Sequence, residues 1–291
     1  MSLEMKAVIF NLGITLADVP ENQVNKDFVL LKPLRVLIDG IENAIYVGLL
    51  WVEPWRVLGT TGIGRILNVG LDIDKSLEGK LVLVLPYSQT YGGIGTEIDG
   101  LLSERSVVPF DSIIVLPQSR FIEKYILYPY VSFAFQLENV IENGSTLIVG
   151  SGIYGIISAL YLKNIVTKIN IYREDGINPK LIGVEEIKHL SPNWDNIIIT
   201  TFRSWVRGFI EDLTKNGTRV IMPKLMNSWP VISSNRIKYI IPKEVDGVLE
   251  FIENKIGDNL FQELISFSTD ILASFPTPKA GVVIKTDEVF K

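Results

Sequence analysis

The glycine-rich run from Gly150 to Gly155 is the part of the chain whose residue types and spacing point most directly to chemistry. It follows the apolar strand pattern Thr146–Val149 and precedes a stretch of helical character. In such a run the first glycine permits a tight turn, the second lets a pyrophosphate approach the backbone, and the third lets the helix pack on the strand. Amides at the helix start, with the helix dipole behind them, form an anion site. We therefore predict a dinucleotide-binding corner made of Gly150, Ser151, Gly152, Ile153, Tyr154 and Gly155; the alternative is a turn that serves only packing.

The end of the next predicted strand, Lys168–Tyr172, bears on which dinucleotide binds. Sites that prefer NAD place an Asp or Glu about 20 residues beyond the glycine run, where it holds the ribose 2′-hydroxyl. Here that position falls on Tyr172 or Arg173, with Glu174 and Asp175 just beyond. An arginine favours the 2′-phosphate of NADP through charge-assisted hydrogen bonds, so the sequence favours NADP over NAD. In the alternative interpretation Arg173 is solvated and Glu174 binds the ribose.

The chain has no cysteine and a single histidine, His189. The lack of cysteine excludes disulfides, iron–sulfur clusters, thiolate nucleophiles and cysteine-based zinc sites. A Ser-His-Asp mechanism would depend on His189 alone, and no nucleophile-elbow pattern occurs in the sequence. We therefore interpret His189 as an ordinary loop or packing residue.

The overall charge argues against a polyanionic partner. The formal net charge is -5 and the pI is about 5.2, with Lys and Arg scattered among acids, whereas nucleic-acid binding needs clustered basic residues. No N-terminal stretch has the pattern of a signal peptide, and the longest apolar runs, such as Ile153–Leu162, fall short of the roughly 20 residues that a membrane helix needs. We expect a cytoplasmic protein that binds neither nucleic acid nor membrane and acts on a small molecule.

Two kinds of pattern divide the chain. Up to Phe121, short apolar stretches alternate with Gly and Pro turn signals, which predicts a small barrel or partly open sheet. Beyond it, apolar strands alternate with helices, which predicts a parallel sheet covered on both faces. A helix at Val245–Lys255 and a strand at Gly281–Lys285 form a tail that we expect to return to the first domain. The remaining predicted elements are helices at Lys124–Ile141, Ile153–Asn164 and Trp205–Lys215, and strands at Asn196–Thr201, Thr218–Pro223 and Ile237–Pro242.

The order of these patterns resembles that of the medium-chain dehydrogenases/reductases, the relatives of zinc alcohol dehydrogenase. The resemblance covers almost the whole chain. Val57–Gly64 is similar to the family's LGHExxG motif, Gly79–Val82 to its GDRV strand, and Gly100–Arg105 to its GGFAEY motif. No single motif is specific, but the set together with the glycine run is typical of this family.

The resemblance implies an α/β protein with two domains. A GroES-like β-rich catalytic domain would comprise residues 1–127 and 243–291, and a Rossmann domain with a doubly wound parallel sheet would comprise residues 128–242. The active site would lie in the cleft between them. The resemblance also implies nicotinamide-dependent oxidation or reduction of an alcohol, carbonyl or activated alkene, in a homodimer or homotetramer, with the hydride chemistry supplied by the cofactor.

The residues that hold zinc in the family are replaced in this sequence. The cysteine of the family's GIC motif is Glu42, and the His-Glu pair of its LGHE motif is Thr60-Thr61. The four-cysteine structural lobe is missing, since Pro86 leads through a short polar stretch to Gly92. One glutamate with hydroxyls is a poor tetrahedral zinc site, so we predict that the protein uses no zinc.

Without a metal, hydrogen-bond donors must stabilise the charge that develops on a carbonyl oxygen. The resemblance places Ser132 where relatives have the threonine that supports the nicotinamide ring, and Thr200 and Thr201 at the end of the strand that flanks it. For Tyr46, Thr60, Thr61 and Tyr91 the alternative is a structural hydroxyl that nearby backbone satisfies. The candidate catalytic residues near the cleft are Glu42, Tyr46, Thr60, Thr61 and Tyr91.

The sequence thus predicts a zinc-independent, NAD(P)(H)-dependent oxidoreductase that acts on a small alcohol, carbonyl, enone or quinone. The alternative, from a different class, is a degenerate relative that binds the dinucleotide without turnover and acts as a sensor or assembly partner. A third possibility is that the glycine corner binds nothing.

Overall fold

The computed structural model describes residues 4–118, 121–173, 181–203, 205, 212–214, 217–229 and 237–290. The chain divides by packing into two compact units. Unit 1 consists of Met1–Ile126, Leu225–Asn227 and Ile265–Lys291, and unit 2 of Leu127–Lys224 and Ser228–Leu264.

Strands and helices follow one another along the described residues, with strands predominating before Tyr128 and the two types alternating after it. In chain order they are β1 (Glu4–Phe10), β2 (Ile14–Pro20), β3 (Phe28–Ile38), α1 (Gly40–Tyr46), β4 (Arg56–Val57), β5 (Thr61–Val69), β6 (Leu81–Val84), β7 (Tyr87–Ser88), β8 (Gly92–Gly93), β9 (Ser106–Pro109), β10 (Ile113–Val115), α2 (Tyr128–Leu137), β11 (Ser145–Val149), α3 (Ile153–Leu162), β12 (Lys168–Tyr172), β13 (Glu185–Ile187), β14 (Asn196–Ile199), β15 (Arg219–Pro223), β16 (Ile237–Ile240), α4 (Val248–Lys255), α5 (Asp258–Leu264), β17 (Ile265–Ser268), β18 (Gly281–Ile284) and α6 (Thr286–Val289).

Unit 1 is built around strand β3. The main sheet has the order β10-β6-β5-β3-β18-β17, with β9 also paired to β3, and a separate three-stranded sheet has the order β2-β1-β4. Val29 and Leu31 of β3 are fully buried while Lys32 is exposed, the alternation expected of a strand with one face on a core. Strand β18 pairs antiparallel with β3, with Val282 opposite Ile38, so the last strand of the chain joins the sheet of unit 1.

Close backbone contacts explain three glycines of unit 1, two of which lie in motifs of the family resemblance. Gly59 has φ = +98°, in the left-handed region that favours glycine. A Cβ on Gly100 would lie 2.4 Å from the carbonyl oxygen of Gly59, and one on Gly95 would lie 2.9 Å from the Gly59 carbonyl carbon. These three glycines therefore let separate segments of backbone meet.

Unit 2 contains a six-stranded, all-parallel sheet of order β13-β12-β11-β14-β15-β16. Its strands are short runs rich in Ile and Val, and β11 and β14 are buried along almost their whole length, as expected of a sheet covered on both faces. The order reverses between β11 and β14, so this pair is the topological switch point, where open α/β sheets bind ligands. The predicted doubly wound parallel sheet is confirmed.

Several element ends differ from the sequence-based prediction. The helix predicted at Lys124–Ile141 is a 3-10 turn followed by α2, which has Pro129 in its first turn, where a missing N–H leaves no bond unmade. The strand predicted at Asn196–Thr201 ends at Ile199. Most of the helix predicted at Trp205–Lys215 lies outside the described residues.

Unit 2 extends to Leu264, beyond the boundary predicted at residue 242. The reason is that α4 packs on the helices of this unit: the ring of Phe251 lies 5.5 Å from those of both Phe135 and Tyr161. The helix also starts at Val248 rather than Val245, because Gly247, with φ = +79°, interrupts the helical backbone. Within the described residues, no helix has the length and apolar character needed to cross a membrane.

Candidate functional site

The turn that joins β11 to α3 has the form predicted for a dinucleotide-binding corner. Gly150 follows β11 directly, has φ = +118°, and donates its N–H to the carbonyl oxygen of Tyr172 at 3.0 Å. A Cβ on Gly150 would lie 2.6 Å from the hydroxyl of Thr200, and one on Gly155 would lie 2.1 Å from the carbonyl oxygen of Gly150. Both glycines are therefore required by the protein's own packing.

Gly152 differs from these two glycines because no packing requires it. It is the N-cap of the ten-residue helix α3, with ordinary φ and ψ of -65° and -178°. A Cβ on Gly152 would meet no protein atom within 4 Å. The first amides of a helix lack partners within it and carry its positive dipole end, so open space at this point suits an anionic group. The corner thus fits the diphosphate of a dinucleotide.

The other residues predicted for the corner divide into two groups. Ser151, Ile153 and Tyr154 are buried, and the ring of Tyr154 packs 4.5 Å from that of Tyr130 on α2. These buried side chains contribute packing at the corner. Thr200 and Thr201 follow β14 and lie beside Gly150, and Thr200 donates its N–H to the carbonyl oxygen of Val149 at 2.9 Å. The structure thus brings both threonines to the switch point.

The end of β12 lies beside the glycine corner, because Tyr172 is paired with Val149 across the parallel sheet. The ring of Tyr172 packs against that of Trp205, at 5.9 Å and 83°, in a hydrophobic cluster. Arg173 is neither solvated nor open: its side chain is 6% exposed, and its Nε lies 3.2 Å from Oε2 of Glu186. Glu174 and Asp175, the alternative ribose partners, lie outside the described residues.

Ser132 holds α2 to a neighbouring segment of unit 2. Its hydroxyl donates to the carbonyl oxygen of Lys243 at 2.5 Å and accepts from the Lys243 N–H at 3.1 Å. The residue is fully buried, and Gln136 on the same helix donates to the carbonyl oxygen of Ile241. These bonds tie α2 to the segment at residues 241–243, and the support of a nicotinamide ring by Ser132 stays a prediction.

Glu42 is fully buried in unit 1, where its two carboxylate oxygens each accept a backbone N–H. Oε2 accepts from Asp39 at 3.0 Å and Oε1 from Thr60 at 2.9 Å. Asp39 in turn accepts from the Ile41 N–H, so Asp39 and Glu42 form a capping box at the start of α1. Burial, and next the nearby charge of Asp39, raise the pKa of Glu42 from 4.5 to about 8.

These residues do not fit a zinc ion. Glu42 is fully buried with each oxygen already accepting a backbone amide, and Thr60 and Thr61 offer only hydroxyls, which are poor zinc ligands. Among the residues that the structure describes, no group of three His, Cys, Asp or Glu side chains is arranged to hold a metal. The hydroxyl of Thr61 is buried and has no hydrogen-bond partner within that part of the chain.

The two tyrosine candidates of unit 1 lie in other surroundings. Tyr46, at the end of α1, is 49% exposed, and its ring lies 6.1 Å from that of Phe275. Tyr91 donates its hydroxyl to Asp27 at 2.5 Å, and this hydrogen bond is the largest cause of a raised pKa for Tyr91. The structure therefore brings Glu42 and Thr60 into direct contact, whereas Tyr46 contacts Phe275 and Tyr91 contacts Asp27.

Two residues of these sites were not predicted. Asp39 could have been found, because an Asp followed three residues later by a Glu at the start of a helix is the signature of a capping box. Glu186 could not, because it reaches Arg173 only through the register of β12 and β13, which set Ile171 opposite Glu186.

No protein-family model matches the chain, and no curated protein matches it. Solved structures do. Acetophenone reductase from Geotrichum candidum, in complex with NAD, has a TM-score of 0.70 at 16% identity, over 97% of each chain. Glucose dehydrogenase from Haloferax mediterranei, in complex with NADP, zinc and gluconolactone, has a TM-score of 0.69 at 14% identity, over 97% of this chain and 99% of that one.

An alcohol dehydrogenase from Thermus sp. ATN1 gives a similar result, with a TM-score of 0.65 at 16% identity over 97% of this chain and 99% of that one. At such identities the likeness concerns the fold. Since it covers both units in each case, the resemblance predicted from the motifs is confirmed at that level. The chain has the fold of the medium-chain dehydrogenases/reductases, with a GroES-like unit and a Rossmann unit.

Proposed function

We propose that this protein is an oxidoreductase that uses a nicotinamide dinucleotide and needs no zinc. The observation that carries the proposal is the glycine corner, where two glycines are required by packing and the third, Gly152, borders open space at a helix start. A diphosphate is the group that such a corner binds in Rossmann domains. The solved structures of the same fold include a reductase in complex with NAD and a dehydrogenase in complex with NADP, which supports this assignment.

The bound cofactor would supply or accept the hydride. The amides at the start of α3 would hold its diphosphate, while Thr200 and Thr201 line the same corner at the end of β14. Because Glu42 already accepts two backbone amides, we assign polarisation of the substrate oxygen to hydroxyl groups of the chain rather than to a metal. Tyr46 is an accessible candidate for this role. Tyr91 is also accessible, but its hydroxyl donates to Asp27, and Thr60 and Thr61 are buried. The substrates would be small alcohols, carbonyls, enones or quinones.

The binding step is tested by titrating NADH and NADPH against the protein and following nicotinamide fluorescence. We expect saturable binding, and we expect Gly152→Ala to weaken it by at least about tenfold, because the added methyl occupies the space that the diphosphate needs. The melting temperature should change little, since that methyl meets no protein atom.

Gly257 provides a matched control for this substitution. Its carbonyl oxygen accepts the N–H of Phe261, as that of Gly152 accepts the N–H of Ile156, and a Cβ there would also meet nothing within 4 Å. Gly257→Ala should leave dinucleotide affinity unchanged. Equal affinity of the Gly152→Ala protein and the wild type would remove the basis of the proposal.

The alternative function, a dinucleotide-binding sensor or assembly partner without turnover, requires the same corner. Consumption of the reduced cofactor with a panel of aldehydes, quinones and enones distinguishes the two functions. An oxidoreductase consumes cofactor with at least one substrate class, and Gly152→Ala suppresses this consumption. Saturable binding without turnover on the whole panel would favour the sensor.

A further inference from the structure

The carboxyl end of β12 carries a contact between Arg173 and Glu186 that bears on which dinucleotide binds. Arg173 lies one residue beyond β12, beside the glycine corner, at the place where an arginine would meet a 2′-phosphate. The structure instead places its guanidinium against the carboxylate of Glu186, at 3.2 Å, with the arginine side chain 6% exposed and the glutamate side chain 43% exposed. A carboxylate on β13 therefore already lies beside the charge that would attract NADP.

Strand register explains why Glu186 reaches Arg173. Ile171 is paired with Glu186 and Tyr172 with Ile187. Since side chains alternate between the faces of a strand, Glu186 shares a face with Ile171, and the chain brings Arg173 to that face two residues later. Tyr172 and Ile187 belong to the other face, where they pack on a hydrophobic cluster.

We propose that Glu186 determines the cofactor preference of the protein, by pairing with Arg173 and repelling a 2′-phosphate, so that the chain selects NAD over NADP. This inference rests on the proposed function and reverses the preference for NADP that Arg173 indicates from the sequence alone. The 2′-phosphate of NADP would bring a second negative charge beside the carboxylate of Glu186, which already contacts the arginine. Repulsion between these two charges would weaken the binding of NADP. The ribose of NAD brings only hydroxyls, which an arginine and a carboxylate can both hydrogen-bond.

The experiment compares dissociation constants for NADH and NADPH in the full-length wild type and in Glu186→Gln. We expect the wild type to bind NADH more tightly. In Glu186→Gln we expect NADPH affinity to rise by about tenfold relative to NADH, because the arginine is released and the repulsion is removed. Adding Arg173→Gln to that variant should cancel the gain.

Glu185 is a matched control on the same strand. It is paired with Asn170, lies on the opposite face from Glu186, and has a side chain 64% exposed that contacts Asn170 and Lys168. Glu185→Gln makes the same change of charge and should leave the ratio of the two affinities unchanged. A shift in this control as large as that in Glu186→Gln would overturn the inference, since any lost negative charge would then suffice.

The remaining outcomes separate this inference from the proposed function. Tighter binding of NADPH than NADH by the wild type, or a weaker preference for NADPH in Glu186→Gln, would mean that Glu186 orients Arg173 toward a phosphate, and the inference would be wrong. An unchanged ratio in Glu186→Gln would also overturn it, while leaving dinucleotide binding intact. If neither cofactor binds the wild type, the proposed function itself fails and takes this inference with it.

Discussion

Two backbone amides, those of Asp39 and Thr60, converge on the buried carboxylate of Glu42. Bonds from amides favour the ionised form, yet burial outweighs them, and the charge of Asp39 acts in the same direction as burial. The folded protein therefore retains a proton on Glu42 over a range of pH in which the unfolded chain has released it. Loss of that proton leaves a charge in a place that water does not reach.

This proton gives the stability of the protein a defined pH dependence. Between the ordinary pKa of 4.5 and the raised pKa of about 8, the folded state binds more protons at Glu42, so the free energy of unfolding falls as the pH rises. The slope due to this one group is at most about 1.4 kcal/mol per pH unit. We expect Glu42→Gln to remove this contribution. Urea denaturation from pH 5 to 9 measures the free energy of unfolding of the wild type and of the variant, and the difference between the two should change with pH up to about 8 and then level off.

A glutamate on the surface controls for the loss of a carboxylate. Glu250 on α4 is exposed, and Glu250→Gln, which makes the same change of side chain, should not reproduce the change of profile expected for Glu42→Gln. Parallel profiles for the Glu42→Gln protein and the wild type would contradict the assigned burial effect.

At the scale of elements, periodicity and turn signals predicted most of the Rossmann unit. Strand β12 was predicted with its observed ends, and α3 to within its last turn. Apolar residues alternate with Lys168 and Asn170 in β12, while α3 is an almost continuous apolar run that starts at a glycine, so local patterns define both elements. The glycine corner was likewise predictable, because each glycine answers a local backbone requirement.

Contacts made between elements were not predictable in the same way. The amphipathic pattern of α4 shows that Val248 and Ile252 need to be buried, but it does not say against what. The prediction therefore assigned this helix to the tail, whereas Phe251 packs with Phe135 and Tyr161 of unit 2. Glu42 contacts the amide of Thr60 through tertiary packing, and Glu186 contacts Arg173 through strand register. Patterns in a single sequence encode neither contact.

The position of α4 leads to a prediction at this scale. Phe251→Ala should lower the free energy of unfolding by about 2 kcal/mol, because a partly buried ring and its aromatic contacts with α2 and α3 are lost. Hydrogen exchange should locate the effect: amides of α2 and α3 should exchange faster, while those of β3 and β5 in unit 1 should not. Phe267→Ala on β17, at a phenylalanine that is 39% exposed, serves as the control. Faster exchange confined to unit 1 would show that α4 had been assigned to the wrong unit.

At the scale of the whole molecule, the residues of the glycine corner and those around Glu42 lie in different units. The glycine corner, the threonines after β14, and the pair of Arg173 with Glu186 all belong to unit 2. Glu42 and its partners all belong to unit 1, whose sheet is completed by β17 and β18 from the end of the chain. Binding of the adenosine half of a dinucleotide should therefore depend on unit 2 alone.

A fragment of residues 127–264 tests this division, with ADP-ribose as the probe because it carries the diphosphate and both riboses but no nicotinamide. The fragment contains the six parallel strands, α2 to α5 and the short segment Leu225–Asn227. We expect it to fold, with mixed helix and strand by circular dichroism, and to bind ADP-ribose with an affinity within about tenfold of that of the full chain by calorimetry. Gly152→Ala should weaken binding in the fragment and in the full chain by the same factor, since its methyl acts only at the corner. If the folded fragment failed to bind while the full chain bound ADP-ribose, residues of unit 1 would have to contribute to the adenosine site, and the corner would be only part of it.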